Sequence, residues 1–288
     1  MNKAEEIIRS VRQVPVLPAT AVRLLETMRN SRHDALDVTR VVASDPGLTV
    51  NLLKVVNSPV FGLRSEVLTL ERAVQYLGDR VVIGVALSLE LGEMYGTALT
   101  GYSGEPGGLL RHSLTTALAC RELAARSRTE LAGEEAFTAG LLHDLGKALL
   151  SEYLRGETQG ILHDLDIGRA RGFDAAEEQR LGTDHAAVGA ALLAHWRLPR
   201  RLVDVIRHHH APGGADMENR GMAYIVHLGD IVSMMGGYGT GADSLQYALD
   251  ERYEEWIDVS VQGLEEIVLK VTQEFERFGT PNTGRTSS

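Results

Sequence analysis

Apolar positions along this 288-residue chain recur at spacings of three and four and almost nowhere alternate. That is the period of helices buried on one face. Val22, Leu25 and Met28 share one face of a helix expected over 19–28. A short helix follows over 38–42, with Asp37 as its expected N-cap. Asp45-Pro46-Gly47 is a turn or starts another, with proline in the first turn where its missing N–H costs nothing. Leu48, Leu52, Val55 and Val56 form that helix's apolar stripe. Asn57-Ser58-Pro59 stops it, because the residue before a proline is steered away from helical backbone. Further helices are expected over 70–77 and, after a break at Gly78-Asp79, over 81–94.

The glycine-rich run from Tyr102 to Gly108 marks a bend. Beyond it the pattern predicts helices over 109–126, 134–153, 162–172, 174–182, 184–196, 200–209 and 221–235. Glycine content makes 212–221 and 236–243 loops, and a last helix spans 259–278. The fold class is all-α, a multi-helix bundle without hairpins or internal repeats. An N-terminal helical subdomain, residues 1–103, is expected to pack on a helical domain, residues 104–278. The Gly, Thr, Asn, Pro and Ser tail, 279–288, is expected to be disordered.

Composition narrows the function classes. An apolar share of 44% is ordinary for a globular core. The formal net charge of −10 argues against nonspecific binding to nucleic acid or to an anionic membrane. The longest apolar piece, Val81 to Leu91, falls short of the roughly 20 residues that span a bilayer. The charged start, Met1 to Glu6, leads into no apolar leader segment. Cys120 is the single cysteine, so no intramolecular disulfide forms, which fits a reducing cytosol. A cytoplasmic protein with neither nucleic acid nor membrane as partner is expected.

The ten histidines change the picture most. Only His33 lies in the first hundred residues; the others fall between His112 and His227. Singly, they have plain readings. His143-Asp144 lies among Phe137, Leu141, Leu142, Leu145 and Leu149, and Lys147 could pair with Asp144 across one turn. His185 follows Asp184, a good N-cap, as a polar first-turn residue. His208, His209 and His210 end a helix, where imidazolium suits the macrodipole. At most two of that triplet can serve one site, since neighbours on a helix diverge by about 100°. His227 and Asp230 form an i, i+3 pair. Together, imidazoles and carboxylates on several helices are how a helical bundle builds a mono- or dinuclear metal site. Such a site activates water and clamps a phosphate.

The order His112, His143-Asp144, His185, His209-His210, Asp230 resembles the HD superfamily of metal-dependent phosphohydrolases. It is more closely similar to the HDOD domains, regulatory relatives of the HD-GYP phosphodiesterases. The first half carries the HDOD resemblance. Its segments are Val14-Pro-Val-Leu-Pro18, Asp45-Pro-Gly-Leu-Thr-Val-Asn-Leu-Leu-Lys-Val-Val-Asn-Ser58 with Phe61-Gly62, and Ala73-Val-Gln-Tyr-Leu-Gly78. Asp184-His-Ala-Ala-Val-Gly-Ala190, Trp196-Arg-Leu-Pro199 and His209-His-Ala-Pro212 extend it, over 14–236 in all.

The resemblance implies that the second domain is an HD-type helical domain. It puts His112, His143, Asp144 and Asp230 at one metal, and His185, His209 and His210 at a second. The ions are divalent: Fe, Mn, Zn, Ni or Mg. Lys147 falls where HD-GYP relatives hold a substrate phosphate. His163, His195, His208 and His227 lie off the family positions and read as ordinary. The complete ligand set departs from many HDOD proteins. The HD-GYP segment Asp-Gly-x-Gly-Tyr-Pro is replaced by Ala211-Pro-Gly-Gly-Ala-Asp-Met217, which argues against cyclic dinucleotide hydrolysis. Two functions follow. One is a bacterial signalling module that binds a regulatory protein partner or a small phosphate-containing ligand. The other is a phosphohydrolase or phosphodiesterase with Asp144 and Lys147 as catalytic residues. Leu109, Leu110 and the loop 212–221 are the candidates to cover the site.

Overall fold

The computed structural model describes residues 3–11, 14, 18–29, 33–57 and 65–279. Among them all regular structure is helical, and one isolated antiparallel bridge joins Ser127 to Ile257. The first half holds α1 (Lys3–Val11), α2 (Ala19–Arg29), α3 (Ala35–Ala43), α4 (Pro46–Val56), α5 (Leu70–Leu77), α6 (Asp79–Glu90) and α7 (Gly92–Gly96). After a turn from Tyr102 to Gly107 come α8 (Gly108–Ala124), α9 (Gly133–Leu142), α10 (Leu145–Leu150), α11 (Thr158–Asp166) and α12 (Phe173–Leu181). Then follow α13 (His185–His195), α14 (Arg200–Arg207), α15 (Arg220–Met235) and α16 (Val261–Gly279).

Local chemistry accounts for most of the differences from the sequence pattern. The N-cap of α3 is Asp34, not Asp37. Asp34 Oδ1 accepts from the N–H groups of Leu36 and Asp37, and Asp37 closes a capping box by accepting from Asp34 N–H at 3.2 Å. Helix α4 starts as expected, with Asp45 accepting from Leu48 N–H and Pro46 in the first turn. Asn57 ends it by bonding the backbone of Leu53 and Val67 through its side chain; Ser58 and Pro59 lie outside the described residues. The helix expected over 81–94 is two, broken at Leu91. The one expected over 162–172 is shifted to Thr158–Asp166, because the N–H groups of Arg169 and Ala170 turn back onto Asp164 O. Helix α1 went unpredicted. The tail expected to be disordered lies, from residue 280 on, outside the described residues.

One break matters for function. The helix expected over 134–153 stops at His143-Asp144 and restarts as α10. His143 Nδ1–H donates to Gly140 O at 2.7 Å, and so takes the carbonyl that a continuing helix would give to the Asp144 N–H. The break turns both side chains inward.

The buried apolar side chains of both halves form one cluster. Helix α6 packs on α2 and α4 and also on α9, and α1 packs on α13. Helix α8 is central, with α9, α15 and α16 around it. Glycines let α9 and α15 close on α8 at one atom. A Cβ on Gly140 would lie 2.8 Å from Cys120 Sγ, and one on Gly229 would lie 2.5 Å from it. Gly140 precedes His143 by three residues, Gly229 adjoins Asp230, and Cys120 follows His112 by eight.

Candidate metal centre

Helix α8 supplies His112 from its second turn, and the α9–α10 break supplies His143 and Asp144. His185 is the first residue of α13, fixed there by the cap bond from Ala187 N–H to Asp184. His209 and His210 follow the end of α14, and Asp230 comes from α15. Six of these seven residues are at most 1% exposed, and His210 is half-buried. The structure brings the whole predicted set together around Asp144.

Asp144 separates two groups. Its Oδ2 lies 3.2 Å from His112 Nε2 and 3.4 Å from His143 Nε2. Asp230 Oδ1 adjoins the same pair, at 3.0 and 3.7 Å. Asp144 Oδ1 faces His185 Nε2 at 3.4 Å and His209 Nε2 at 3.7 Å, and His185 Nε2 is 2.8 Å from His210 Nε2. One donor atom each from His112, His143 and Asp144 lie within 4.8 Å of one another, and so do those of Asp144, His185, His209 and His210.

The outer ring nitrogens show what these atoms are prepared for. His112 Nδ1 donates to Tyr238 O, His143 to Gly140 O, His209 to Ile206 O and His185 to Glu177 Oε2, each at 2.7 Å. Carbonyl and carboxylate oxygens only accept, so each Nδ1 carries hydrogen and, in the neutral ring, Nε2 offers a lone pair to the centre. This is how ligand imidazoles are oriented in metal sites. Inside, Asp144 Oδ1 and Oδ2, Asp230 Oδ1 and His209 Nε2 are buried without an aligned hydrogen bond. Buried polar atoms are costly unless paired. A divalent cation among these imidazoles and carboxylates would satisfy them, so the residues fit one.

Electrostatics point the same way. Burial alone would raise the Asp144 carboxyl, but His143 and Lys147 hold it well below the usual carboxylate range. Asp230 is held low against burial by His112 and His143. Burial disfavours the His112 cation, yet Asp144 and Asp230 push its pKa up to about 10. Glu177 does the same for His185, to about 9. His209 and His210 are pushed well below the ordinary imidazole value by burial and by neighbouring imidazoles.

Lys147 pairs with Asp144 at 2.7 Å, the local ion pair that its spacing allows. It also donates to Asp243 Oδ2 at 2.6 Å and Thr240 Oγ1 at 3.1 Å, so three oxygens surround its ammonium. Both oxygens belong to the segment 236–250 between α15 and the 3-10 turn at 251–255. Tyr247 of that segment donates to Asp243 Oδ2 at 2.8 Å and stacks on His210 with ring centroids 4.0 Å apart. This segment covers the cluster, with Tyr102 on its flank, whereas 212–221 was the loop expected there.

Among the described residues, the buried Asp and Glu side chains are Asp144, Glu177, Asp230 and Asp243, and Lys147 is the one buried Lys or Arg. All five belong to this network. Glu177, Asp243, Thr240, Tyr247 and Tyr102, whose hydroxyl donates to Glu177 at 2.6 Å, went unnoticed in the sequence. Glu177 stands beside Glu178 on an unremarkable helix, and Asp243 ends a glycine-rich run without periodicity. Of the nine histidines after residue 100, four stay outside the cluster. His163 and His195 are exposed, and His208 pairs with Asp204 at 3.1 Å. His227 does not pair with Asp230; it donates to His209 O and accepts from Asp250 N–H, bracing the turn that carries His209.

Comparison with known proteins agrees with this architecture. A protein of Treponema pallidum (strain Nichols), described as uncharacterized, is 25% identical over 209 residues, 72% of this chain and 39% of its own length. The chain thus spans about two fifths of that relative. An HDOD domain protein of unknown function from Geobacter sulfurreducens matches with a TM-score of 0.72 at 21% identity, over 96% of this chain and 98% of its own. A chain from Shewanella amazonensis SB2B, provisionally described as a phosphohydrolase, matches at 0.69 and 22% identity, over 96% and 99%. At these identities the likeness shows the shared fold. The family model of the HDOD domain matches residues 14–212, more than half of the sequence, and the chain belongs to the HDOD domain family.

Proposed function

We propose that the protein is a metal-holding regulatory module of bacterial signal transduction, acting in the cytosol by binding a protein partner or a small phosphate-containing ligand. The observation that carries this reading is the convergence of five imidazoles on the two oxygens of Asp144, with Asp230 against His112 and His143 and four of the rings with Nδ1 already committed. In this reading His112, His143, Asp144 and Asp230 hold one divalent ion, and Asp144, His185, His209 and His210 hold a second. The imidazole-rich set suits Fe, Ni or Zn better than Mg. A cation there would polarise a phosphoryl oxygen and make bound water acidic. The chain's own residues favour binding over turnover. Lys147, which would hold a phosphoryl oxygen, is saturated by Asp144, Asp243 and Thr240, and the ligands are enclosed.

The hydrolase reading keeps one specific observation in its favour: Asp144 stands between two ligand groups, as a carboxylate shared by two ions would. Elemental analysis of tag-free protein, with a panel of phosphomonoesters, nucleotides and cyclic dinucleotides, separates the two. The expected result is near-stoichiometric metal, lost in the His143→Ala/Asp144→Ala double variant, and no turnover above that variant. Absence of metal from the native protein sinks the metal reading. Turnover that disappears in the double variant replaces the regulatory role by the hydrolytic one.

A further inference from the structure

Segment 236–250 is tied into the cluster at four points. Tyr238 O accepts from His112, Thr240 and Asp243 accept from Lys147, and Tyr247 stacks on His210. It has no α-helix of its own and crosses the cluster through Gly237, Gly239 and Gly241, of which Gly237 and Gly241 adopt positive φ. Asp243 is fully buried at its centre. Its Oδ2 takes a lysine ammonium, a threonine hydroxyl and a tyrosine hydroxyl, at 2.6, 2.8 and 2.8 Å. A compact anionic oxygen that receives an ammonium and two hydroxyls is bound as a phosphate oxygen would be.

Charge supports the comparison. Asp144, Glu177, Asp230 and Asp243 are the buried carboxylates among the described residues, against the single charge of Lys147. With neutral imidazoles and two divalent ions, the cluster would carry one net positive charge. Withdrawing Asp243 would leave two, the charge that a phosphate monoester dianion matches.

We propose that Asp243 is a built-in anion plug: its carboxylate, braced by Thr240 and Tyr247 of its own segment, occupies on Lys147 the place of a small phosphate dianion, and a ligand enters only by displacing the 236–247 segment. The inference rests on the metal-holding reading above and adds the place where a phosphate would sit and the element that moves. It makes the module a switch whose closed state is held by its own aspartate. Binding there exposes Tyr247 and frees the Tyr238 carbonyl, so occupancy is communicated to the surface through the segment.

The test is calorimetric titration of the full-length, tag-free chain with inorganic phosphate, comparing native protein with Asp243→Asn and with Tyr247→Phe, which loosens the segment without changing charge. Asp243→Asn is expected to bind phosphate about tenfold more tightly or better, as expected when a competing charged hydrogen-bond partner is removed. Tyr247→Phe is expected to shift affinity the same way by less, and Lys147→Met in the Asp243→Asn background to abolish the gain. Hydrogen exchange of native protein should show amides of 236–247 exchanging faster with phosphate present. Phosphate affinity that is the same in native and Asp243→Asn proteins, or protection of 236–247 by phosphate, overturns the plug. Should Asp243→Asn fail to fold, Tyr247→Phe and the exchange experiment on native protein decide. Metal content is measured on the same preparations: its absence counts against the metal-holding reading, while the plug stands or falls on the affinity difference.

Discussion

Helices α3 to α6 bury Val38, Val42, Leu52, Val74 and Ile83 beside nothing more polar than Thr39 and Ser88, whereas the stretch from α8 through the 236–250 segment buries four carboxylates, a lysine and five imidazoles. The two regions share one apolar cluster and differ in what their interiors demand. An apolar interior is stabilised by burial itself and tolerates any occupant of similar volume. A buried carboxylate loses several kcal/mol of solvation unless something repays it, so each one demands a specific partner. In the second region part of that demand, at the oxygens of Asp144 and Asp230, is met by ion pairs without an aligned hydrogen bond, and a cation would meet it more fully.

Chelation should separate the regions most strongly. With metal at about a thousand times its dissociation constant, removal should cost about 4 kcal/mol of native-state stability. The loss should appear in calorimetry and as faster hydrogen exchange in α8, α9 and α15, with α3 to α6 little changed. A melting temperature indifferent to chelator would break the comparison.

Two core substitutions of similar cost come next. Leu52→Ala leaves a cavity in the first region and Gly140→Ala forces a methyl group onto Cys120 in the second; each should cost about 3 kcal/mol. Denaturant melts should show similar losses. Only Gly140→Ala should also lower the metal bound per chain, because it pushes α9 from α8. Equal metal loss in both would mean that the halves are not separable.

Acidity gives a smaller effect with a definite sign. The pKa values of His112 and His185, about 10 and 9, leave both rings protonated at neutral pH in metal-free protein. Metal must displace those protons, so affinity weakens as pH falls below 9, by about tenfold per pH unit for each proton released. Titrations at pH 8 and pH 7 in the same buffer check this; stronger binding at pH 7 would contradict it.

The smallest effect compares two N-caps. Asp34→Ala on α3 and Asp184→Ala on α13 should each cost about 1 kcal/mol. Only Asp184→Ala loosens His185, and only it should weaken metal binding.

Much of this was legible before any coordinates. Helical period gave the fold class and most elements, because an amphipathic helix must declare its buried face in its own residues. The cluster of histidines and aspartates was legible through a resemblance spread over separate segments; no single His-Asp pair would have sufficed. The break at His143-Asp144 was not, since leucines continue the period straight across it and the cause is a side-chain bond to Gly140 O. Asp243 and Glu177 were illegible for another reason: what distinguishes them is burial against partners 96 and 8 residues away, and nothing in their neighbours announces it.

Cys120 carries no ligand and, buried and with its thiol pushed well above the usual value, little reactivity. Yet its sulfur is the pivot on which Gly140 and Gly229 rest, so the helices bearing His112, His143 and Asp230 share a common anchor, three residues from His143 and beside Asp230 in sequence. The bite of the first group is therefore fixed by packing before any ion arrives. Were a cation held there, the first group could widen for a larger one such as Ca²⁺, which asks for more and longer bonds, only by moving helices off that sulfur.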